Sequence, residues 1–307
     1  MTIGINDLED KKLCAICGKR TQYKVLYKQN FKLKDINANI FSARRLPDGI
    51  HYRILKCLNC SLVFSSPMLS ETILNRLYKE SKVTYGKQIA DLTKTYGIYL
   101  NELRKYGVIK GRLLEIGCGN GFFLTEAKKQ GYREVYGVEP SREAIKTIPK
   151  EIRKNIKGDL FKKNLFPKNF FDVICFFQTF DHVSDPNKFL KNCLGILKPG
   201  GFVLAFNHNI SSFQALTLGE KSPIIDIEHT YLYNQKTMRM IFEKNKFQVM
   251  SLKPSFNIYS LGYLVHLMPL PKLIKKYSLS ISEKLGISKL KFKLRIGNMI
   301  LFAKKPI

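Results

Sequence analysis

Cys14-Ala-Ile-Cys17 and Cys57-Leu-Asn-Cys60 each carry two thiols at a spacing that lets one tight turn present both to a metal ion. Two such turns can close a tetrahedral four-sulfur site, the geometry that structural zinc prefers. The stretches TQYKVLY and HYRILKC between them alternate apolar and polar residues like short strands. The set reads as a zinc ribbon with a long insertion. A redox dithiol is the other chemistry open to a C-x-x-C pair, but two pairs bracketing hairpin strands argue against it. Four thiolates leave no open coordination position, so the expected Zn2+ is structural and performs no chemistry.

A second constellation begins at Glu115-Ile-Gly117-Cys-Gly119-Asn-Gly121. Glycines at alternate positions let the backbone pass close under a bound nucleoside, with the amides of the following helix facing the ligand. The spacing is G-x-G-x-G behind an acid, which is not the G-x-G-x-x-G dinucleotide fingerprint. Glu139 closes the next strand, where a carboxylate can hold two ribose hydroxyls. Asp159, followed by Leu160, ends a third strand and puts a carboxylate within reach of an adenine amino group. The fourth strand leads into Gln178-Thr-Phe-Asp-His182.

A third group holds the bases. Histidine near its ordinary pKa suits removal of a proton from a hydroxyl or carbon nucleophile. The chain has five: His51, His182, His208, His229 and His266. His182 and His208 follow the fourth and fifth strands, at the carboxyl edge where open α/β sheets bind ligands. His51 and His266 read as structural or surface residues. Glu228-His229 lies in IDIEHTYLY, residues 225–233, between the fifth strand and a helix beginning near Asn234.

These residues need a frame. From residue 111 strands and helices alternate: GRLLEIG, GFFLTEAKKQG, EVYGVE, SREAIKTI, then the apolar run FFDVICFF, the helix DPNKFLKNCLGIL and the strand FVLAFN. Such alternation implies parallel strands, right-handed crossovers and a doubly wound sheet. The expected fold class is α/β, a doubly wound (Rossmann-like) sheet with a small N-terminal zinc ribbon. Residues 1–65 form the ribbon and 66–108 a helical linker or lid. Residues 109–307 form the ligand-binding domain, with a basic and apolar insertion at about 254–296. In the linker, Ser70 suits an N-cap and Ile73, Leu74, Leu77 and Tyr78 a buried stripe. Apolar spacing near a helical period continues over 81–106. Tyr78 and Tyr85 are core residues in one reading and part of a lid in another. Cys175 and Cys193 fall on core positions.

The glycine turn with Glu115, the acids Glu139 and Asp159, and Leu197-Lys-Pro-Gly-Gly201 resemble the class I S-adenosylmethionine-dependent methyltransferases. The motifs cover about residues 109–252. The resemblance implies S-adenosylmethionine held by Glu115, Gly117, Gly119, Gly121, Glu139, Asp159, Leu160 and Gln178. It also implies a seven-stranded sheet closed by an antiparallel hairpin from FQVMSLKP (247–254) and NMILFAKK (298–305). A narrower resemblance, carried by the ribbon front and the Glu-His pair, is to sugar C-methyltransferases and polysaccharide-cluster methyltransferases. It implies His229 as base, Glu228 in its proton network and His182 nearby. Where the sugar enzymes carry tyrosine two residues before the Glu, this chain has Asp226. They are also longer, with a second C-terminal domain.

The charge narrows the partners. Over 307 residues, 52 Lys+Arg against 24 Asp+Glu give +28, which favours an anionic partner. Residues 251–307 hold eleven Lys/Arg and one acid, Glu283, interleaved with apolar residues. That tail reads as a solvated basic face, a peripheral contact with anionic membrane, or a phosphate-binding surface. The N-terminus shows no signal-peptide pattern, and the apolar window 254–271 contains three prolines, which makes it a poor spanning helix. With an odd cysteine count, these features predict a reducing cytoplasm. The expected activity is methyl transfer to a small-molecule or glycosyl acceptor, nucleotide- or lipid-linked, at O or C. RNA methylation is the alternative, in which ribbon and charge hold nucleic acid. No N/D-P-P-Y/F motif follows the fourth strand, where FFQTFDHV stands instead.

Overall fold

The computed structural model describes residues 3–20, 22–41, 48–81, 88–267 and 271–307. Tyr85 and the side chain of His266 lie outside the described residues. The front of the chain carries β1 Leu8–Glu9, β2 Tyr23–Tyr27, β3 Ile54–Cys57, β4 Val63–Ser65 and β5 Met68–Leu69. Helices α1 Glu71–Glu80 and α2 Ile89–Glu102 follow. Then come β6 Arg112–Ile116, α3 Phe122–Lys129, β7 Glu134–Val138, α4 Arg142–Thr147, α5 Lys150–Arg153 and β8 Ile156–Lys157. The next elements are β9 Phe171–Phe177, α6 Pro186–Ile196, β10 Leu197–His208, α7 Phe213–Leu218 and β11 Tyr231–Leu232. The chain closes with α8 Gln235–Lys244, β12 Gln248–Ser260, α9 Leu261–Leu267, α10 Lys272–Lys284 and β13 Lys291–Lys304.

Seven strands form one sheet in the order β12-β13-β10-β9-β6-β7-β8. β10, β9, β6, β7 and β8 run parallel, and β13 is antiparallel to both β10 and β12. This is the expected α/β sheet with its closing hairpin. All seven residues of β9 are buried, as a central strand covered on both faces requires. Two details differ from the sequence expectation. The LKPGG segment is drawn into β10 as an irregularity, with the register to β9 shifting between Leu197 and Phe202. The hairpin strands are longer than expected, because β12 continues to Ser260 and β13 starts at Lys291.

Helix ends follow their caps. Ser70 accepts from the Ile73 amide at the start of α1, and Ile73, Leu74 and Leu77 are the buried stripe. Asp185 caps α6 with Pro186 in its first turn, and Asn234 caps α8. The periodic stretch 81–106 is helical as α2 from Ile89, burying Leu92, Tyr96, Tyr99 and Leu100.

The front strands form a four-stranded sheet in the order β11-β4-β3-β2. Its outer strand β11 belongs to the IDIEHTYLY segment, more than 150 residues later in the chain, and pairs antiparallel with β4. The front module and the large sheet also share one apolar core, in which Tyr52, Phe64 and Cys57 join Phe176, Phe180 and Tyr233. The segment 225–233 is thereby pinned between two sheets.

Candidate active site

The principal pocket opens at the carboxyl ends of the parallel strands. Ile116, Gly117, Gly119, Val138, Glu139, Asp159, Leu160, Phe161, Gln178 and Thr179 line one part of it. Tyr78, Ser81, His182, Lys188 and Glu228 line another. The two parts are built by different means.

The first part comes from short strand-to-helix turns. Gly117, Gly119 and Gly121 have φ of 77, 52 and 75°, the left-handed region open to glycine. A Cβ on Gly117 would lie 2.6 Å from Thr179 Oγ1, so the backbone here must stay bare. Glu139 is buried; Gly119 N–H donates to its Oε2 and Ser141 N–H to its Oε1, both at 2.8 Å. A carboxylate retains acceptor capacity beyond two amides, which suits it to ligand hydroxyls. Burial raises its pKa, with the Ser141 and Gly119 amides pulling the other way. Glu115 is 3% exposed and its Oε2 has no hydrogen-bond partner among the described residues. Burial, then the neighbouring Glu139, pushes its pKa well up. Asp159 accepts its own Leu160 amide at 2.9 Å and pairs with Lys162 and Lys79. Burial raises the Asp159 pKa, but Lys162, the Leu160 amide and Lys79 outweigh it and leave the carboxyl below its usual range.

Gln178 leaves β9 with φ 50°, a strained conformation for a residue with a Cβ. Its amide N–H donates to Phe206 C=O at 2.6 Å, its side-chain nitrogen lies 3.1 Å from His208 Nε2, and Tyr96 O–H donates to its oxygen at 3.4 Å. The bare glycine cradle and the orphaned Glu115 oxygen, together with Glu139 and Asp159, fit the nucleoside and cationic portions of S-adenosylmethionine.

The second part is collected from distant elements around Asp181, which is fully buried. Its Oδ2 accepts from His208 Nδ1, while Oδ1 is unpartnered and lies 3.8 Å from His182 Nε2. His182 Nδ1 sits 3.2 Å from the Tyr78 hydroxyl. His229 packs its ring on both other imidazoles, with centroids 4.9 Å from His182 and 4.6 Å from His208. His229 Nδ1 is held 2.8 Å from Ile224 C=O, and its own backbone C=O accepts from Ser65 Oγ of the front module. His182 and Glu228 therefore reach the pocket wall, whereas His229 lies buried behind them.

Burial drives the His182 pKa down to about 3, with Asp181 opposing and the other two imidazoles adding to the shift. Burial, with His208, likewise lowers the His229 pKa. Burial works against ionisation of Asp181, yet His208, hydrogen-bonded to it, and then His182 and His229 hold its carboxyl far below the usual carboxylate range. A buried carboxylate results beside His182 and His229, whose neutral forms burial favours. Asp226, the position that departs from the sugar enzymes, accepts the Glu228 amide on Oδ1 and the Asp48 amide on Oδ2, both at 3.1 Å. It braces the turn that carries Glu228 and His229.

Sequence reasoning singled out His182, Glu228 and His229 and weighed His208, but passed over Asp181, around which the imidazoles gather. The signal was its adjacency to His182 at the end of the fourth strand. His51 is structural: it is buried, with Nδ1 2.8 Å from Tyr52 C=O and Nε2 3.1 Å from Glu220. Cys175 and Cys193 are fully buried core residues.

The four front cysteines converge. Their sulfurs lie within 4.8 Å of one another, with Cys14 to Cys60 at 3.4 Å and Cys17 to Cys57 at 3.8 Å. Tetrahedral bonds of about 2.3 Å place thiolates roughly that far apart. The two turns match: Gly18 N–H donates to Cys14 C=O and Ser61 N–H to Cys57 C=O, both at 2.9 Å, with Gly18 and Ser61 left-handed. The donor set fits zinc.

Comparison with known proteins agrees with this geometry. A ubiquinone biosynthesis O-methyltransferase of Bradyrhizobium sp. (strain ORS 278) is 30% identical over 114 residues, 35% of this chain and 45% of that protein. One from Coxiella burnetii (strain RSA 493 / Nine Mile phase I) is 29% identical over 130 residues, 40% of this chain and 55% of that protein. The chain spans about half the length of the curated relatives it matches. The crystal structure of a SAM-dependent methyltransferase from Archaeoglobus fulgidus superposes with TM-score 0.47 at 20% identity, covering 69% of this chain and 94% of that one. The methyltransferase domain family matches residues 88–252, more than half of the chain. The protein belongs to that methyltransferase domain family.

Proposed function

We propose that the protein methylates a hydroxyl oxygen of a small-molecule acceptor, glycosyl hydroxyls included, with the pocket-facing His182 as proton acceptor. The observation that carries this reading is the neutral His182 on the pocket wall beside the buried carboxylate of Asp181. The naming of the curated relatives as O-methyltransferases supports oxygen as the nucleophile. When bound, S-adenosylmethionine supplies an electrophilic methyl group.

The residues divide the remaining work. Glu139 takes the ribose hydroxyls, Asp159 and Leu160 the adenine, and Gly117, Gly119 and Gly121 keep the backbone close to the ligand. Glu115 and Gln178 face the remainder of the cofactor. His182 Nδ1 receives the acceptor's proton directly or through Tyr78, and Asp181 offsets the charge of the imidazolium. Such proton transfer contributes roughly 10²–10⁴ in rate. Glu228 orients the acceptor, while His229 keeps His182 in place and tunes it. The front module, residues 1–65, holds a structural Zn2+ on Cys14, Cys17, Cys57 and Cys60 and braces the acceptor side. Residues 66–108 cover the pocket through Tyr78, and residues 109–307 carry the catalytic domain. The positive net charge of +28 suits an anionic acceptor.

The test is incubation with methyl-labelled S-adenosylmethionine and a host extract fractionated into RNA, lipid and small-molecule pools. Label in the small-molecule or lipid pool, lost in His182→Gln, is the expected result. Label confined to RNA would overturn the reading.

A further inference from the structure

Helix α10, between the two strands of the closing hairpin, turns its apolar side outward. In α10, Leu273, Ile274, Tyr277, Ile281 and Leu285, the last just past the helix, fall on one helical stripe. They are exposed at 71, 52, 66, 56 and 66%. Ser282, a small polar residue at the margin of the stripe, is buried. A helix packed normally on its own domain would reverse this arrangement, because burying large apolar side chains is what stabilises docking.

Cations surround the stripe. Between Ser260 and Gly297 stand eight Lys/Arg and one acid, Glu283. Lys276 and Lys284 on the helix and Lys289 just beyond it are exposed.

We propose that this face is a docking surface for an anionic lipid bilayer. Each feature answers one property of such a surface. The stripe enters the headgroup–acyl boundary, Tyr277 suits the interface between apolar and wet regions, and the lysines meet anionic headgroups. A second copy of this chain is a poorer occupant, since both partners would bring the same positive surface and a net charge of +28. Nucleic acid would answer the lysines but leave the apolar stripe in water.

The hairpin also determines which way the protein would face. β13 pairs with β10 only up to Asn298 opposite His208, so residues 291–297 run on past the carboxyl end of β10. β12 accompanies them, with Ser260 opposite Lys291. At roughly 3.3 Å per residue, the hairpin projects about 20 Å beyond the sheet edge that carries the pocket. Bilayer docking therefore turns the pocket edge toward the membrane. That orientation rests on the proposed site, whereas the docking itself does not.

The experiment is co-sedimentation of the full chain with phosphatidylglycerol/phosphatidylcholine vesicles and with pure phosphatidylcholine vesicles. Wild type is expected to sediment with the anionic vesicles and to be released by salt. The double variant Ile281→Ser/Leu285→Ser should lose about tenfold in binding while keeping its thermal midpoint and its S-adenosylmethionine affinity, both sites being exposed and neither lining the pocket. Equal sedimentation of wild type and variant, or no preference for anionic vesicles, overturns the proposal. So does a wild-type dimer that the variant converts to monomer, or RNA binding that the variant loses while vesicle binding stays unchanged.

Discussion

The two parts of the pocket solve the same problem, placing polar groups at the edge of a sheet, in opposite ways. The part proposed for the cofactor is local: Glu115 and the glycine turn stand at the end of β6, Glu139 just after β7 and Asp159 just after β8, all within 45 residues of chain. The acceptor part is assembled from afar. Tyr78 comes from α1, Asp181 and His182 from the end of β9, His208 from β10, and Glu228 and His229 from a segment whose next residues form a strand of the front sheet. A local site depends on backbone conformations that short motifs specify. An assembled site depends on tertiary packing, so damage far away should reach one part and spare the other.

The largest expected break comes from the metal. Cys57→Ser, or chelation, should remove a contribution of several kcal/mol, given apparent zinc-binding energies of about 10–16 kcal/mol in small metal-organised folds. Hydrogen exchange should then rise across residues 14–65 and 225–233, because β11 loses its partner β4. S-adenosylmethionine affinity should change by less than about threefold, since the cofactor turns stand on the large sheet. Loss of cofactor binding together with the ribbon would erase the distinction between the two parts.

The reverse break is Glu139→Ala. Losing a charged acceptor for the ribose hydroxyls should weaken S-adenosylmethionine binding by about a hundredfold, from hydrogen bonds worth roughly 1.5–3 kcal/mol each. Calorimetry measures this directly, and unchanged affinity would falsify the ribose role. His182→Gln should do the opposite, lowering kcat by about 10² or more with cofactor affinity retained. A drop in cofactor affinity with turnover intact would assign His182 to the cofactor instead.

The smallest expected effect is on stability against pH. His182 has a folded pKa near 3 against an ordinary 6.5, so between those values the unfolded chain binds more protons at this site. Stability from this group is complete above pH 6.5 and declines as pH falls toward 3. His229 shifts in the same direction. The thermal midpoint should therefore fall between pH 7 and pH 5, and His182→Gln should flatten part of that slope. An identical slope in the variant would place the proton uptake elsewhere.

Legibility divides along the same line. Positive φ at Gly117, Gly119 and Gly121 and the buried carboxyl of Glu139 correspond to residue types that could be recognised one by one. The apolar run of β9 announced a central strand, and the C-x-x-C spacings announced four converging sulfurs. The environment of His229 could not be recognised in that way. Its ring is set by His182, His208 and Ile224 C=O, and its backbone by Ser65, whose distances from it in the chain follow no period. Asp181 looked like one loop acid among many until His208 was brought against it from the neighbouring strand.

By itself, the sequence determined the α/β sheet, the cofactor turns and the four-sulfur cluster, because each rests on backbone propensities and spacings that act over a few residues. Only the tertiary structure decided that IDIEHTYLY joins the front module's sheet, that three imidazoles gather on one buried carboxylate, and that α10 turns its apolar stripe outward. Those outcomes depend on which distant surfaces exclude water together, and a linear pattern carries no record of that.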